Sequence, residues 1–197
     1  MVFQERTFSI LIVSAAEQFF QQIHVLLPEN EYYPIRRAGD SGQAKRMMLE
    51  APCDLVLINT PLEDDFGIRL AMDICSDSSA EVLLFVRNEK LEGVRAKVRE
   101  YGVMTVGKPA STSIVQQTLS MMCAQRERLK RLEKKQISIE EKMMEIRLIN
   151  RAKWVLIENR KMSESDAQHW IEHEAMNGRR TKRDIAEELI RLHEEKG

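Results

Sequence analysis

The sequence predicts a doubly wound α/β domain built on a five-stranded parallel sheet, then a long coiled-coil helix, then a compact bundle of three helices. Three observations carry this. Five short apolar runs alternate with amphipathic stretches between Phe8 and Gly107, at short spacings. The central run, "DLVLIN" (Asp54–Asn59), is continuously apolar rather than alternating, which marks a strand covered on both faces. Beyond Ser111 strand-like runs stop, and apolar residues recur in steps of four and three. The expected boundaries are 1–122 for the sheet domain, 123–150 for the coiled coil and 151–197 for the helical module, whose first helix continues from the coil.

"FSILIV" (Phe8–Val13) reads as the first buried strand, and "EQFFQQIHVLL" (Glu17–Leu27) as an amphipathic helix stopped by Pro28. "YYPIRRA" (Tyr32–Ala38) carries a proline and reads as an edge strand. "SGQAKRMMLEA" (Ser41–Ala51) is a helix ending at Pro52. "DLVLIN" follows, then "GIRLAMDICSD" (Gly67–Asp77) as a helix and "EVLLFV" (Glu81–Val86) as a strand. "LEGVRAKVREYG" (Leu91–Gly102) is a helix with Gly102 at its end, and "VMTVG" (Val103–Gly107) is the last strand.

In the second half a seam runs through Thr118, Met122, Gln125, Leu129, Leu132, Gln136, Ile139, Met143, Ile146 and Asn150. Lys, Arg and Glu fill its flanks, so a parallel homodimer is expected, with Leu129, Leu132, Ile139, Met143 and Ile146 as its contacts. The alternative is a single long helix that packs on the C-terminal segment of its own chain. "SESD" (Ser163–Asp166) and "TKRD" (Thr181–Asp184) fit capping boxes, and Gly178 is placed to end the helix between them. Ala152, Leu156, Ala167, Trp170, Ile171, Ala175, Ile185, Ala186, Leu189 and Ile190 are the expected core of this module.

Composition narrows the classes of function. The chain has 197 residues, an apolar fraction of 43% and a net charge of −1, which suits a globular protein rather than a basic coat or a disordered tail. The charge is uneven: Arg126 to Lys161 holds 12 basic residues against 6 acidic. The three cysteines, Cys53, Cys75 and Cys123, lack metal-like spacing and read as reduced core thiols of a cytoplasmic protein. No apolar run is long enough to span a membrane, and no signal peptide is evident. His169 and His173 share a helix face without a third ligand, so no metal site is assigned. No nucleophile–base pair or glycine-rich phosphate loop is present, so neither catalysis nor a cofactor is expected.

The order of elements, "DLVLIN…P…G" and "GKP" together resemble a response-regulator receiver domain, a flavodoxin-like fold, over about residues 8–122. The resemblance implies a magnesium-binding acidic pair after the first strand and a phosphoacceptor aspartate at the end of the third. It also implies a hydroxyl residue after the fourth strand, and a Lys-Pro after the fifth. At those positions stand Ser14 and Ala15, Asn59 and Val86, with Val106 in place of a switch aromatic; only Lys108 and Pro109 remain. An amide cannot form an aspartyl phosphate, and a serine and an alanine do not make a hard-oxygen metal site. Asp64 and Asp65 lie beyond the strand tip and read as loop solvation. The domain is expected to be a pseudo-receiver.

The stretch "RAKWVLIENRKMSESDAQHWIEHEAMNGRRTKRDIAEELI" (Arg151–Ile190) is similar to an ANTAR domain. The resemblance rests on Ala152-Lys153, Leu156, the Met-Ser-Glu before "DA", Ala175-Met176, Arg180 and Ile185-Ala186. It implies binding to paired hairpins of a leader transcript and transcription antitermination, with control through a sensor or ligand-binding partner protein. Arg151, Lys153, Arg160, Lys161, Arg179, Arg180, Lys182 and Arg183 are the candidate RNA-contacting cations. Trp170 is expected in the core rather than against a base. A DNA-binding regulator and a non-catalytic dimeric scaffold stand as alternatives.

Overall fold

The computed structural model describes residues 7–194. In chain order the elements are β1 (Phe8–Val13), α1 (Glu17–His24), β2 (Tyr32–Ala38), α2 (Ser41–Glu50), β3 (Leu55–Asn59), α3 (Ile68–Asp77), β4 (Glu81–Arg87), α4 (Asn88–Val98), β5 (Met104–Lys108), α5 (Thr112–Arg160), α6 (Glu164–Gly178) and α7 (Lys182–Glu194). A short 3₁₀ turn, Arg99–Tyr101, closes α4. The chain forms two compact units, one reaching Lys130 and one starting at Arg131.

The first unit is the expected five-stranded sheet, in the order β2-β1-β3-β4-β5, and every pairing is parallel. The continuous apolar runs have the reason given for them: alternate residues serve opposite faces. Leu11, Val13, Val56, Ile58, Val82, Leu84 and Val86 face α2, α3 and α4, where Ala44, Leu70, Ala71, Ile74, Val94 and Val98 meet them. Ile10, Ile12, Leu55, Leu57, Leu83, Phe85 and Val106 face α1 and α5. β2 lies at an edge, and its register with β1 shifts across Pro34, between the Phe8–Tyr32 and Ile10–Ile35 pairs.

Two glycines answer local demands. Gly102 takes φ +77 after the 3₁₀ turn, as its position in the sequence indicated. At Gly107 a Cβ would lie 2.0 Å from the side-chain Oδ1 of Asn88 and 3.1 Å from Cδ2 of Leu91, so a side chain there would force both to move. The first helix ends at His24, three residues before the expected Leu27, although Leu27 itself is buried.

One seam residue needs correction. Met122 is fully buried with Val115 and Leu119 under the sheet, so its side chain fills the first unit's core rather than a dimer seam. Beyond it the helix still meets the base of the sheet, as far as Lys130. At the base of the sheet Asp54 accepts hydrogen bonds from the Ser9 amide at 3.2 Å and Ser9 Oγ at 3.3 Å. It also accepts from Arg126 Nε at 3.1 Å and Lys130 Nζ at 2.7 Å, and so ties α5 to β1 and β3. Burial opposes ionisation of this carboxyl, but Lys130, the Ser9 amide and Arg126 outweigh it and hold its pKa below the ordinary value.

The second unit takes in the later part of α5 together with α6 and α7. Ala152, Leu156, Ala167, Ile171, Ala175, Ile185, Ala186 and Ile190 form its buried core. Trp170 and Leu189 pack against that core while staying partly exposed.

Candidate nucleic-acid interface and degenerate receiver site

The carboxyl ends of β1, β3 and β5 converge at the reversal of strand order, the place where an open α/β sheet exposes a crevice. Asn59 ends β3 and Lys108 ends β5, while Ser14 follows β1. Lys108 Nζ donates to Asn59 Oδ1 at 2.6 Å and to the Thr60 carbonyl at 2.5 Å. Asn59 Nδ2 donates to Ser14 Oγ at 3.0 Å, and Ser14 Oγ donates to the Ala16 carbonyl at 3.2 Å. The amide thus bridges a cation and a hydroxyl, using its carbonyl toward one and its NH₂ toward the other. Burial, and then the neighbouring Arg87, push the Lys108 pKa down. Val86 is fully buried and Val106 nearly so; neither brings a polar atom to this crevice.

The loop acids are committed elsewhere. Asp64 does more than solvate its loop: it accepts from the backbone amides of Ser41 and Gly42 and from Ser41 Oγ, at the start of α2. That reach across 23 residues of sequence answers a helix N-terminus with a carboxylate, and it holds the Asp64 pKa below its ordinary value. Asp65 accepts from the Phe66 amide at 2.6 Å. Gly67, at φ +88, turns the chain back toward α3, with Ile58 Cγ2 only 3.0 Å from where a Cβ would be.

In the second unit both sequence caps form. The Asp166 amide donates to Ser163 Oγ at 3.1 Å, and Ser163 Oγ donates to Asp166 Oδ2 at 2.6 Å. The box at α7 is reciprocal: the Asp184 amide donates to Thr181 Oγ1 and the Thr181 amide donates to Asp184 Oδ2. The end of α6 differs from expectation. Gly178 remains helical and Arg179 takes the left-handed conformation, φ +50. The Arg180 amide reaches the Ala175 carbonyl at 3.0 Å and the Arg179 amide the Met176 carbonyl at 3.3 Å, a Schellman closure with arginine where glycine is usual. Lys161, just past α5, is also left-handed at φ +55. Both inter-helix turns therefore put a cation on a backbone conformation that disfavours a side chain.

The eight candidate RNA-contacting cations divide by their partners. Arg151 pairs with Glu194 at 2.7 Å, Lys153 with Glu164 at 3.0 Å, Lys182 with Glu172 at 2.6 Å and Arg183 with Glu187 at 2.8 Å. Arg180 pairs with Glu188, and the Arg160 guanidinium lies 4.6 Å from the centroid of the Trp170 ring. Lys161 and Arg179 have no side-chain partner among the described residues. All eight thus lie on the helical module, most of them held by partners within it. The remaining seam positions, Leu129, Leu132, Ile139, Met143 and Ile146, are 39–58% exposed.

The sequence reading passed over two exposed residues of α5, Trp154 and Arg147. The Trp154 side chain is 64% exposed. The signal for it was present: counted from the buried Leu156, Trp154 does not fall on the core-facing side of the helix.

Residues 138–190 match the model of the ANTAR domain. The chain is 26% identical over 166 residues to the "Transcriptional regulatory protein PdtaR" of Mycobacterium tuberculosis, covering 84% of this chain and 80% of that protein. Among solved structures, the signal receiver domain of an HD domain-containing protein from Pseudomonas fluorescens Pf-5 is similar with a TM-score of 0.58 and 22% identity, over 66% of this chain and 96% of that one. A two-component response regulator from Clostridium difficile is similar with a TM-score of 0.51 and 17% identity, over 60% of this chain and 97% of that one.

Proposed function

We propose that this chain, an ANTAR response regulator with a receiver-type sheet ahead of its ANTAR domain, acts by binding structured leader RNA and preventing transcription termination. The observation that carries the reading is the ANTAR match over residues 138–190, which falls on the helical module with cations at both of its turns. Lys161 and Arg179, without a side-chain partner among the described residues, can neutralise phosphates without first losing one. The exposed seam from Leu129 to Ile146 supports a homodimer, which places two RNA-binding modules on one molecule, one for each of two hairpins.

Control runs through a partner protein or ligand rather than through phosphorylation of the sheet domain. Asn59 has no nucleophilic carboxylate, and the lysine that would meet a phosphoryl group is occupied by Asn59 and Thr60. The protein is a regulator without an enzymatic step of its own, working in the cytoplasm where transcripts are made.

Equilibrium binding to a synthetic leader RNA with two stem-loops, measured at several salt concentrations, tests this. Tight binding to the pair, weaker binding to either hairpin alone and weak binding to duplex DNA are expected. Equal affinity for duplex DNA of any sequence overturns the reading. Prior incubation with acetyl phosphate and magnesium should leave both affinity and mass unchanged; a hydroxylamine-labile adduct overturns control without phosphorylation.

A further inference from the structure

We propose that Trp154 is a stacking platform for an unpaired RNA loop base, with Arg147, Arg151 and Lys161 holding the adjoining phosphates. The inference rests on the RNA reading above and names a contact within it.

At about 100° per residue, positions 147, 151 and 154 fall within an arc of roughly 60° on α5, and position 156 lies on the opposite side. Leu156 is 1% exposed and Ala152 fully buried, so the bundle core is on that opposite side. The indole is therefore placed where the fold has no use for it. An exposed tryptophan of this size is an unusual surface residue, and beside cations it has the form of a base-stacking site.

The charges on this face fit a polyanion. Arg147 is exposed and has no partner among the described residues, and Lys161 follows one residue past the helix end, also unpartnered. Arg151 shares its charge with Glu194, which is 59% exposed and so is released at little cost. Glu158 also falls on this face, at the turn between Trp154 and Lys161.

Two alternatives are less well served. Trp170, the other tryptophan, packs against the bundle core and is overlaid by Arg160. A second copy of the chain is the other conceivable cover for Trp154. The coiled-coil steps through Met143, Ile146 and Asn150 lead next to Lys153, whose side chain is only 14% exposed and paired with Glu164. Regular seam steps thus pass through Lys153 rather than Trp154, while Met143 and Asn150 lie within about 40° of Trp154 on the same count, so the dimer is one outcome of the test.

The test compares full-length wild type, Trp154→Ala, Trp154→Phe and Arg147→Ala on the two-stem-loop RNA. A matched RNA with abasic loops serves as the second probe. Trp154→Ala should weaken binding about tenfold or more, and Trp154→Phe should stay within about threefold, because any aromatic face can stack. The slope of affinity against salt should be unchanged for Trp154→Ala and reduced by about one for Arg147→Ala. On abasic loops wild type and Trp154→Ala should bind alike.

Equal binding of wild type and Trp154→Ala to the intact RNA overturns this inference and leaves the RNA reading standing. Absence of wild-type binding overturns the RNA reading and this inference with it. An equal loss on intact and abasic loops excludes base stacking. A raised dimer dissociation concentration for Trp154→Ala, with the affinity loss vanishing at high protein concentration, assigns the indole to a second copy and also overturns it. Thermal melts of Trp154→Ala should match wild type, since the side chain is mostly in solvent.

Discussion

Asp54 and Asn59 stand at opposite ends of one strand and show how single polar side chains act here. Asn59 bridges Lys108 and Ser14 through an amide that offers no nucleophilic carboxylate. Asp54 gathers four donors at the base of the sheet and holds α5 there. Its pKa is lowered in the folded state, so its stabilisation is present above the unfolded carboxylate pKa and is lost as pH falls through the lower folded value. Asp54→Asn should cost about 1–3 kcal/mol at pH 7. Urea titrations should show that penalty shrinking below about pH 4, where the unfolded chain's carboxylate begins to take up a proton while the folded one stays ionised. A penalty that is constant down to pH 3 contradicts the role given to its charge. Glu81, at the start of the neighbouring strand, has the opposite sign: burial raises its pKa, with Arg126 partly offsetting this, so its contribution falls as pH rises through that region. Neither residue stood out in the sequence, because each depends on partners tens of positions away.

At the scale of elements, the capped starts of α6 and α7 were legible, and the stops of α1 and α6 were not. Ser163 and Thr181 cap as their motifs indicate, since a cap is settled by three or four consecutive residues. The end of α6 is settled by where the chain must go next, and the turn falls on Arg179 rather than Gly178. Replacing Arg179 by glycine should therefore stabilise the protein by about 0.5–1 kcal/mol in chemical denaturation, because glycine adopts positive φ without a steric cost. The same variant should bind leader RNA less tightly. A loss of stability would mean that the arginine side chain supports the fold. The pairing of favourable backbone and weaker binding separates a functional cation from a structural one.

At the scale of the molecule, α5 belongs to both compact units and carries most of the exposed large apolar side chains among the described residues. Ile139 is 49% exposed and Met143 50%. Charged substitutions at both, Ile139→Glu with Met143→Glu, should convert a dimer to a monomer in sedimentation, with little change in the melting of the monomeric fold. They should also remove the advantage of a two-hairpin RNA over a single hairpin. A dimer that persists places the interface elsewhere.

The sequence by itself determined the alternation of strand and helix, the double-sided burial of the central strands, the helical module and the absence of a carboxylate at position 59. These follow from periodicity and residue chemistry, which are local. Only the tertiary structure decided that Met122 belongs to the sheet's core, that Asp64 answers α2, and that Asp54 meets Arg126 and Lys130. It also decided which cations keep a partner and that Trp154 faces solvent. Each of these depends on which distant segments share a neighbourhood, and hydrogen bonding and burial are properties of that neighbourhood rather than of the residue alone.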